Sequence, residues 1–347
     1  MQKSKKHHAK KNHSKNKHTE LGSQINELFE KEGKETFEKV QKVILEENIE
    51  CQEVQDAMKH FLSYRRSGFF IRPTLISLGC KAVGGNTKVV LDIAVPLVLM
   101  SGGMDIHDDI LDNQKRQDSR LTVLGKFNED IALLTGDALL FKGLISWHKL
   151  VKEKLSVQRF IEITRLLEKA FFEVGDGQAL EISLKRQTDV DPERYLHIAN
   201  KKAADIEALL RIGAIIAKAA QHEIESLGAY GRCLGMLWIL GDDLADMFSH
   251  KEMKRRIENG CLPLPLFYAM KNSKFKSQIH EIISKKKITK KDTETILQMA
   301  TESSGLEKTK KVIQDLIEKA LKNVEGFKNT EELKLFVEDS QNLVFQI

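Results

Sequence analysis

Two short acidic runs with identical spacing constrain this chain more than any other feature. Asp108–Asp112 reads D-D-I-L-D and Asp242–Asp246 reads D-D-L-A-D, and each ends a mostly apolar stretch with helical spacing. Residues four positions apart share one face of a helix, so each run predicts stacked carboxylates. Like charges at this spacing destabilise an isolated helix by about 0.2–0.5 kcal/mol per pair. Two such runs therefore indicate a bound cation that relieves the repulsion.

The composition favours long helices. Of the 347 residues, 41% are hydrophobic, only 5 are proline, and the 21 glycines are scattered along the chain. Scarce proline permits uninterrupted helices, and β-branched runs that alternate with a period of two residues are short and rare. We therefore predict an all-α fold, with residues 20–347 forming a single domain.

The chain begins with a strongly basic segment. Much of the net charge of +5 lies in MQKSKKHHAKKNHSKNKH, which offers no apolar positions for a core. We therefore predict that residues 1–19 form a disordered basic tail. The tail is expected to touch anionic membrane surfaces weakly, and no nucleic-acid partner is expected.

Cysteine spacing and hydropathy indicate the compartment. Four cysteines stand apart without a C-x-x-C pair, which argues against a disulfide framework or a zinc site and favours the reducing cytoplasm. No run of eighteen or more apolar residues occurs, so no transmembrane helix is expected.

Apolar positions at helical spacing predict a series of helices. The predicted segments are residues 21–47, 51–64, 72–84, 87–112, 131–147, 157–184, 192–220, 223–248, 262–270, 290–302, 306–324 and 330–337. The acidic runs end the fourth and eighth segments. Gly102 and Gly103, just before the first run, weaken their helix, and we expect them to leave space beside it.

Carboxylate clusters suit a hard divalent cation. Mg²⁺ prefers oxygen ligands and is usually held by one or two carboxylates together with substrate phosphates. Two facing runs would clamp a diphosphate through bridging metal ions, which neutralise the leaving group. The predicted metal ligands are the six aspartates of the two runs: Asp108, Asp109, Asp112, Asp242, Asp243 and Asp246. Against this stands a solvated acidic surface, which is the usual meaning of a single such run.

Further motifs carry a family resemblance. His107 precedes the first run, and Gly136–Leu140 reads G-D-A-L-L between the two runs. Gly177-Gln178 is followed by Glu181, and Lys202-Ala203-Ala204 follows Tyr195. With Ile71-Arg72-Pro73, these motifs resemble those of the trans-type isoprenyl diphosphate synthases, from about residue 68 to residue 265.

The resemblance implies a fold and an activity. It implies a bundle of long helices around a deep central cavity, with the aspartates facing each other at its mouth. The family joins isopentenyl diphosphate to an allylic diphosphate with Mg²⁺, and two or three ions shared with the substrate diphosphate are expected. By the same resemblance the chain is a homodimer or part of a heteromer.

The resemblance also assigns residue roles. Asp108, Asp109 and Asp242 are the expected catalytic residues. The absence of an aromatic ring at Gly103 and Met104 indicates a C20 or longer product, unless Phe141 or Trp147 closes the cavity instead. The expected diphosphate-binding residues are Arg72, Arg116, Arg120, Gln178 and Lys202.

Several expected polar or basic positions have changed. Phe69 and Phe70 stand where the family has Lys and Arg in G-G-K-R-x-R-P, and Gln117-Asp118 stands at a basic pair. Ser101 replaces a His or Gln, and the lysine of a downstream G-K-x-T-L-P element aligns with Cys261. A diphosphate without a metal needs cationic donors, so the site for isopentenyl diphosphate is altered.

Three interpretations follow from these changes. In the first, the chain is a prenyltransferase in which Arg72, Arg116 and Arg120, or Arg255 or Arg256, rebuild the second phosphate site. In the second, it ionises an allylic diphosphate without a second substrate, as a class I terpene synthase does. In the third, it is a non-catalytic or partner-dependent subunit of a heteromeric synthase.

Overall fold

The computed structural model describes the backbone at residues 2–64, 68–117 and 120–346, and the side chains at 20–63, 69–117, 120–149 and 152–344. It is 82% helical, which confirms the predicted all-α class. The helices are α1 Gln2–Leu45, α2 Gln52–Tyr64, α3 Gly68–Ala82, α4 Val90–Leu111, α5 Val123–Lys126, α6 Glu129–Ser146, α7 Lys152–Lys154, α8 Val157–Leu184, α9 Pro192–Lys202, α10 Ala204–Ile216, α11 Gln221–Met247, α12 His250–Asn259, α13 Leu264–Ala269, α14 Ser273–Ile283, α15 Lys290–Glu302, α16 Gly305–Val324 and α17 Glu331–Gln346.

Four short elements lie between these helices. A 3₁₀ turn at Thr87–Val89 leads into α4, and a π-helical segment at Trp147–Val151 joins α6 to α7. Strands β1 (Arg116–Gln117) and β2 (Arg120–Leu121) pair antiparallel in the connection between α4 and α5. The side chains of the predicted basic tail, residues 1–19, lie outside the described ones, and so does Asp118.

The chain divides into two compact units. The first-motif unit comprises Asn26–Arg165 and Leu209–Ile224 and contains the first acidic run. The second-motif unit comprises Met1–Ile25, Leu166–Ala208 and Glu225–Ile347 and contains the second run. The single domain predicted for residues 20–347 stays a prediction.

The core of the first-motif unit is built around α4. This helix packs against α6 and α3, and most of its side chains are buried. Gly103 makes the close approach to α6 possible, because a Cβ at this position would lie 2.5 Å from the Gly136 carbonyl oxygen. The glycine pair was expected to leave space beside its helix, and at Gly103 helix α6 occupies that space.

The segment Thr87–Leu111 is long and apolar enough to cross a membrane by length and composition alone. Within the protein, 72% of its most apolar window is buried. It is therefore placed as a core helix of the first-motif unit.

The second-motif unit is held together by packing among its later helices. Helix α13 packs against α9, α15 and α16, and α16 packs against α17. The Tyr230 hydroxyl on α11 donates a hydrogen bond of 2.6 Å to the Leu333 carbonyl oxygen on α17. The rings of Trp238 and Phe336 meet edge to face, 6.0 Å apart, along the same pair of helices.

Polar side chains fix where several helices begin. Asn128 caps α6 through the Ile131 N–H, and Asp191 caps α9 through Glu193 N–H just before Pro192. At α15, Thr289 and Asp292 form a reciprocal capping box. Each cap satisfies N–H groups that have no partner inside the helix.

Candidate active site

The first acidic run forms the last turn of α4. Asp108 is exposed, Asp109 is only 3% exposed, and Asp112 is the C-cap residue. The Asp112 N–H donates to the Asp108 carbonyl oxygen at 2.9 Å, so the two residues share one face as predicted. The carbonyl end of a helix is its negative pole, where carboxylates are electrostatically unfavourable. This turn is therefore a strongly electronegative surface.

Basic groups lie beside this turn. The Arg72 guanidinium on α3 is 3.6 Å from the Asp105 carboxylate, one turn before the run. His107 Nε2 lies 3.3 Å from the Asp137 carboxylate on α6. A Cβ at Gly136 would come within 2.5 Å of His107 Nε2. The Gly136-Asp137 motif thus has a physical role, because the glycine leaves room for the imidazole that lies beside the aspartate.

Arg116 and Arg120 lie on the two-stranded ribbon, and both are exposed. Arg116 is paired with Leu121 and Arg120 with Gln117, so the two arginines project from opposite faces of the ribbon. Arg120 also donates to the Ser63 carbonyl oxygen at 2.5 Å. The structure therefore does not bring these two predicted diphosphate ligands together on one face.

Phe69 and Phe70 belong to the hydrophobic core. They are 4% and 3% exposed, and their rings lie 5.3 and 5.7 Å from that of Phe37. Phe61 contacts Phe69 edge to face at 5.4 Å. The Ser101 hydroxyl donates to the Val98 carbonyl oxygen at 3.1 Å. None of these altered positions offers a cation to a phosphate.

The residues expected to set product length are packed differently from one another. Gly103 is buried in contact with α6. Met104 is half-buried. Phe141 is 65% exposed, which leaves it unsuited to close an internal cavity. Trp147 is buried, stacks on Phe160 at 5.7 Å and donates its indole N–H to the Thr164 hydroxyl at 3.2 Å.

The second acidic run forms the last turn of α11 and is bound by an arginine. Asp242 is exposed, whereas Asp243 is only 1% exposed. One nitrogen of Arg256 on α12 lies 2.9 Å from Asp243 Oδ1, and its Nε donates to Asp246 Oδ2 at 2.5 Å. The Leu264 N–H donates to Asp243 Oδ2 at 3.0 Å. The hydroxyl of Tyr195 also binds the Asp243 carboxylate.

The charges of this run are unevenly balanced. Loss of hydration and the neighbouring carboxylates of Asp246 and Asp243 raise the pKa of Asp242 to about 6. Burial raises the pKa of Asp243 as well, although Arg256 and the Leu264 N–H oppose that rise. Burial lowers the pKa of Arg256, but Asp243 and Asp246 outweigh it and raise the value overall.

Helices α8 and α9 bring the other predicted ligands together. The Lys202 ammonium binds the Glu181 carboxylate, and the Lys201 ammonium lies 2.9 Å from that of Asp176. A Cβ at Gly177 would lie 3.0 Å from the Lys202 side chain. Gln178 is half-buried on the same turn of α8. The glycine therefore allows both lysines to lie close to α8.

The contact of Arg256 with the second aspartate run was not predicted from the sequence. Sequence reasoning considered Arg256 as a phosphate ligand, whereas the structure places it on the second aspartate run. Asp246 lies on α11 and Arg256 on α12, which begins after Ser249. Helical periodicity therefore does not predict their contact. Tyr195 was noted only as part of a motif, and its contact with Asp243 depends on tertiary packing.

Comparisons with known proteins give consistent results. The sequence pattern named polyprenyl synthetase matches residues 51–300. Geranylgeranyl diphosphate synthase from Methanosarcina mazei is 26% identical over 276 residues, 79% of this chain and 84% of that protein. A short chain isoprenyl diphosphate synthase from Methanothermobacter thermautotrophicus is 31% identical over 202 residues, 56% of this chain and 59% of that protein.

A solved structure matches over most of the chain. The crystal structure of geranylgeranyl pyrophosphate synthetase from Pyrococcus horikoshii superimposes with a TM-score of 0.81 at 21% identity. The match covers 92% of this chain and 99% of that one.

Proposed function

Because this chain belongs to the polyprenyl synthetase family, we propose that it is a prenyltransferase that condenses isopentenyl diphosphate with an allylic diphosphate to a C20 or longer product. The observation that carries the proposal is the placement of both D-D-x-x-D runs in the last turns of helices. There the carboxylates add to the negative pole of the helix, and Asp108 and Asp242 are exposed to a ligand.

The donor set of the two runs fits Mg²⁺. All the candidate ligands are carboxylate oxygens, which this ion prefers. Within the described ranges, the His, Cys, Asp and Glu side chains form no ready-made group of three or more that could hold a metal. Substrate phosphates would then complete the coordination, as is usual for this ion. When bound, Mg²⁺ supplies Lewis-acid neutralisation of the diphosphate leaving group.

The aspartates of both runs take part in binding the metal. Asp108, Asp109 and Asp112 hold metal on the first-motif unit, and Asp242 does so on the second-motif unit. The proposed catalytic residues stay Asp108, Asp109 and Asp242.

The allylic diphosphate is bound by the end of α9. Lys202, with Lys201 beside it, brings a cation to the phosphate, and Gln178 adds an amide donor. Glu181 holds the Lys202 ammonium in place until the phosphate arrives. An ammonium bound to a carboxylate keeps further N–H donors for a phosphate oxygen.

The diphosphate of isopentenyl diphosphate has fewer donors than the family pattern provides. Arg72 is the best placed of the predicted residues, because it lies half-buried beside the first run. One of the ribbon arginines, Arg116 or Arg120, contributes a second cation. The relatives' names favour condensation over the terpene synthase and non-catalytic alternatives.

A direct assay tests the proposal. Purified protein is incubated with Mg²⁺, farnesyl diphosphate and labelled isopentenyl diphosphate, and the dephosphorylated products are separated by chain length. We expect a labelled prenyl alcohol of C20 or longer and no product after chelation of the metal. Release of diphosphate without isopentenyl diphosphate, with no longer product, would support the terpene synthase alternative instead.

Variants assign the site in the same assay. Asp108→Asn and Asp242→Asn should each lower the rate by at least about a hundredfold, because each removes a charge that the leaving group needs. Asp315→Asn is the matched control, since the Asp315 side chain on α16 is 45% exposed and, among the described residues, pairs with Lys311 of its own helix. Unchanged turnover in both active-site variants would refute the site assignment.

The proposal includes a homodimer in the cytoplasm. Helix α6 exposes large apolar side chains on its surface: Leu133 48%, Leu134 54%, Phe141 65%, Leu144 50% and Ile145 51%. Contiguous apolar surface of this kind usually marks an interface. A second copy of the chain is the proposed occupant, and light scattering coupled to size exclusion measures the assembly.

A further inference from the structure

The second aspartate run already holds a cation that belongs to the chain. The Arg256 guanidinium spans two carboxylates of the run, at 2.9 Å from Asp243 Oδ1 and 2.5 Å from Asp246 Oδ2. Its side chain is 15% exposed, and those of Asp243 and Asp246 are 1% and 17% exposed. A guanidinium can make such a contact because its N–H donors form a rigid fork that matches carboxylate geometry.

The surroundings fix this arrangement from several sides. Asp243 accepts the Leu264 N–H on α13 through Oδ2, and the Tyr195 hydroxyl on α9 lies beside the same carboxylate. Asp242 is exposed, and its carboxylate makes no hydrogen bond or ion pair within the described part of the chain, although the charge of Arg256 acts on it. One guanidinium charge is thus shared between two carboxylates of the run, and the third residue, Asp242, is exposed.

The sequence adds a second indication. The position that the family pattern fills with lysine, in G-K-x-T-L-P, is Cys261 here, whose thiol donates to the Asn259 carbonyl oxygen at 3.8 Å. That cation is therefore missing from the loop after α12. Arg256, on the last turn of α12, brings a cation from this part of the chain to the second acidic run.

We propose that Arg256 is a resident counter-ion of the second aspartate run, which occupies Asp243 and Asp246 in place of a divalent cation and leaves Asp242 to bind the metal. Arg256 is a positioning residue in this scheme, because it acts through the carboxylates and does not touch the reacting atoms. The inference rests on the proposed use of Mg²⁺.

The arrangement has a measurable consequence for metal binding without substrate. With Arg256 in place, one positive charge offsets part of the charge of the three carboxylates, so the run attracts a divalent cation less strongly than the carboxylates alone would. Without it, three carboxylates in the last turn of α11 share one small volume, and their combined field attracts a divalent cation strongly. Removing one positive charge should therefore strengthen binding of the metal to the substrate-free protein.

Manganese titration followed by electron paramagnetic resonance tests this in the full chain without any diphosphate. Arg256→Gln should gain one Mn²⁺ site, or bind Mn²⁺ about tenfold more tightly than the wild-type protein. Arg255→Gln is the matched control, because the neighbouring Arg255 binds Glu252 on its own helix at 2.9 Å and does not contact the run. It should bind Mn²⁺ as the wild-type protein does.

Thermal unfolding supplies an independent measurement. Arg256→Gln should unfold at a lower temperature than wild type without metal and recover most of the difference in millimolar Mg²⁺. Arg256→Lys keeps a positive charge and should stay closer to wild type in both experiments, which provides a second variant if Arg256→Gln does not fold. Arg255→Gln should show no metal-dependent recovery.

The outcomes separate this inference from the proposed function. Equal Mn²⁺ affinity of Arg256→Gln and wild type, with no Mg²⁺-dependent recovery of Arg256→Gln, would overturn the counter-ion role even if the wild-type protein condenses its substrates. A gained Mn²⁺ site in a protein that makes no prenyl product would support the counter-ion role and refute the proposed activity.

Discussion

Gly103 shows how single residues set the geometry of the first aspartate run. The run can lie beside Asp137 only because α4 and α6 approach closely, and that approach depends on the missing Cβ of Gly103. The nearest atom to a Cβ there is a backbone carbonyl oxygen, which cannot move aside as a flexible side chain can. The position of Asp108 relative to α6 is therefore fixed by a glycine five residues away.

Substitution of this glycine tests the argument. Gly103→Ala should lower the free energy of unfolding by about 1–3 kcal/mol, because its Cβ overpacks against the Gly136 carbonyl oxygen. Gly175→Ala, on α8, is the control: a Cβ there meets nothing within 4 Å, so the change should stabilise the helix by about 0.5–1 kcal/mol. Urea denaturation measures both, and equal effects would contradict the packing argument.

At the same scale, the sequence predicted which aspartates share a face and could not predict which are buried. The D-D-x-x-D spacing alone places Asp108 with Asp112 and Asp242 with Asp246, because helical periodicity is local. The burial of Asp109 and Asp243 depends on neighbouring helices, and the contact of Arg256 depends on a turn that reverses the chain. Lys202 and Gln178 were found through their motifs, whereas Glu181 holding Lys202 follows from the packing of α8 on α9.

Helices α8, α9, α10 and α11 are joined by one arginine. Arg232 on α11 binds Glu173 on α8 at 2.8 Å and Glu207 on α10 at 2.6 Å, and it donates to the Asn200 carbonyl oxygen at 2.5 Å. Its side chain is 18% exposed. The three contacts place α9, and with it Lys201 and Lys202, relative to the helix that carries the second run.

Loss of this arginine should destabilise the second-motif unit. Arg232→Gln leaves two carboxylates without a cation, and we expect a loss of about 3 kcal/mol in the free energy of unfolding. Lys311→Gln breaks an exposed pair within α16 and should cost less than about 1 kcal/mol. Chemical denaturation distinguishes the two, and a small effect of Arg232→Gln would show that the helices are held by apolar packing instead.

The contact between α11 and α17 predicts an alkaline limit of stability. Burial raises the pKa of Tyr230 well above its usual value of 10. Its proton therefore stays bound in the folded state, while the unfolded state releases it above about pH 10, so stability is full below that pH and falls above it. The expected slope is about 1.4 kcal/mol per pH unit for this group. Tyr230→Phe should reduce the slope of the free energy of unfolding against pH. Chemical denaturation between pH 9 and 11 measures that slope.

Elements with strong local signals were predicted well. Helices α8 and α15 were predicted at their observed bounds because apolar positions at helical spacing run through both, and a capping box stabilises the start of α15. The single helix predicted for residues 192–220 is wrong, since α9 ends at Lys202 and a separate helix, α10, runs from Ala204 to Ile216. The predicted helix start at Arg72-Pro73 is also wrong, because α3 begins at Gly68 and Pro73 lies inside it. Helices α12 and α14 were not predicted because they are short and mostly polar.

For the whole molecule, the exposed surface of α6 predicts assembly. Phe141→Glu should convert the dimer to a monomer, because a carboxylate cannot be buried in an apolar interface without a partner. Leu321→Glu, at an apolar side chain of α16 that is 39% exposed, is the control and should leave the dimer intact. Light scattering at several protein concentrations gives the mass, and a monomeric wild-type protein would contradict the proposal.

The all-α class was predictable because proline scarcity and apolar periodicity are properties of the whole sequence. The departure from the family's basic pattern was also visible, since Phe69 and Phe70 stand at positions where that pattern has charged residues. The sequence did not show which cations remain available. That depends on the pairing of β1 with β2, which places Arg116 and Arg120 on opposite faces of the ribbon. Sequence patterns thus predicted the class and the motifs, and packing decided which charges are available.

The negative pole of α4 has a kinetic consequence. Asp108 and Asp112 add carboxylates to a helix end that already repels anions, and the substrate is itself a polyanion. Without divalent metal, added salt should therefore speed the encounter between substrate and protein, because it screens a repulsion. With saturating Mg²⁺ the local field is reversed, and the same salt should slow the encounter. A stopped-flow measurement of the association rate at two ionic strengths would reveal the change of sign.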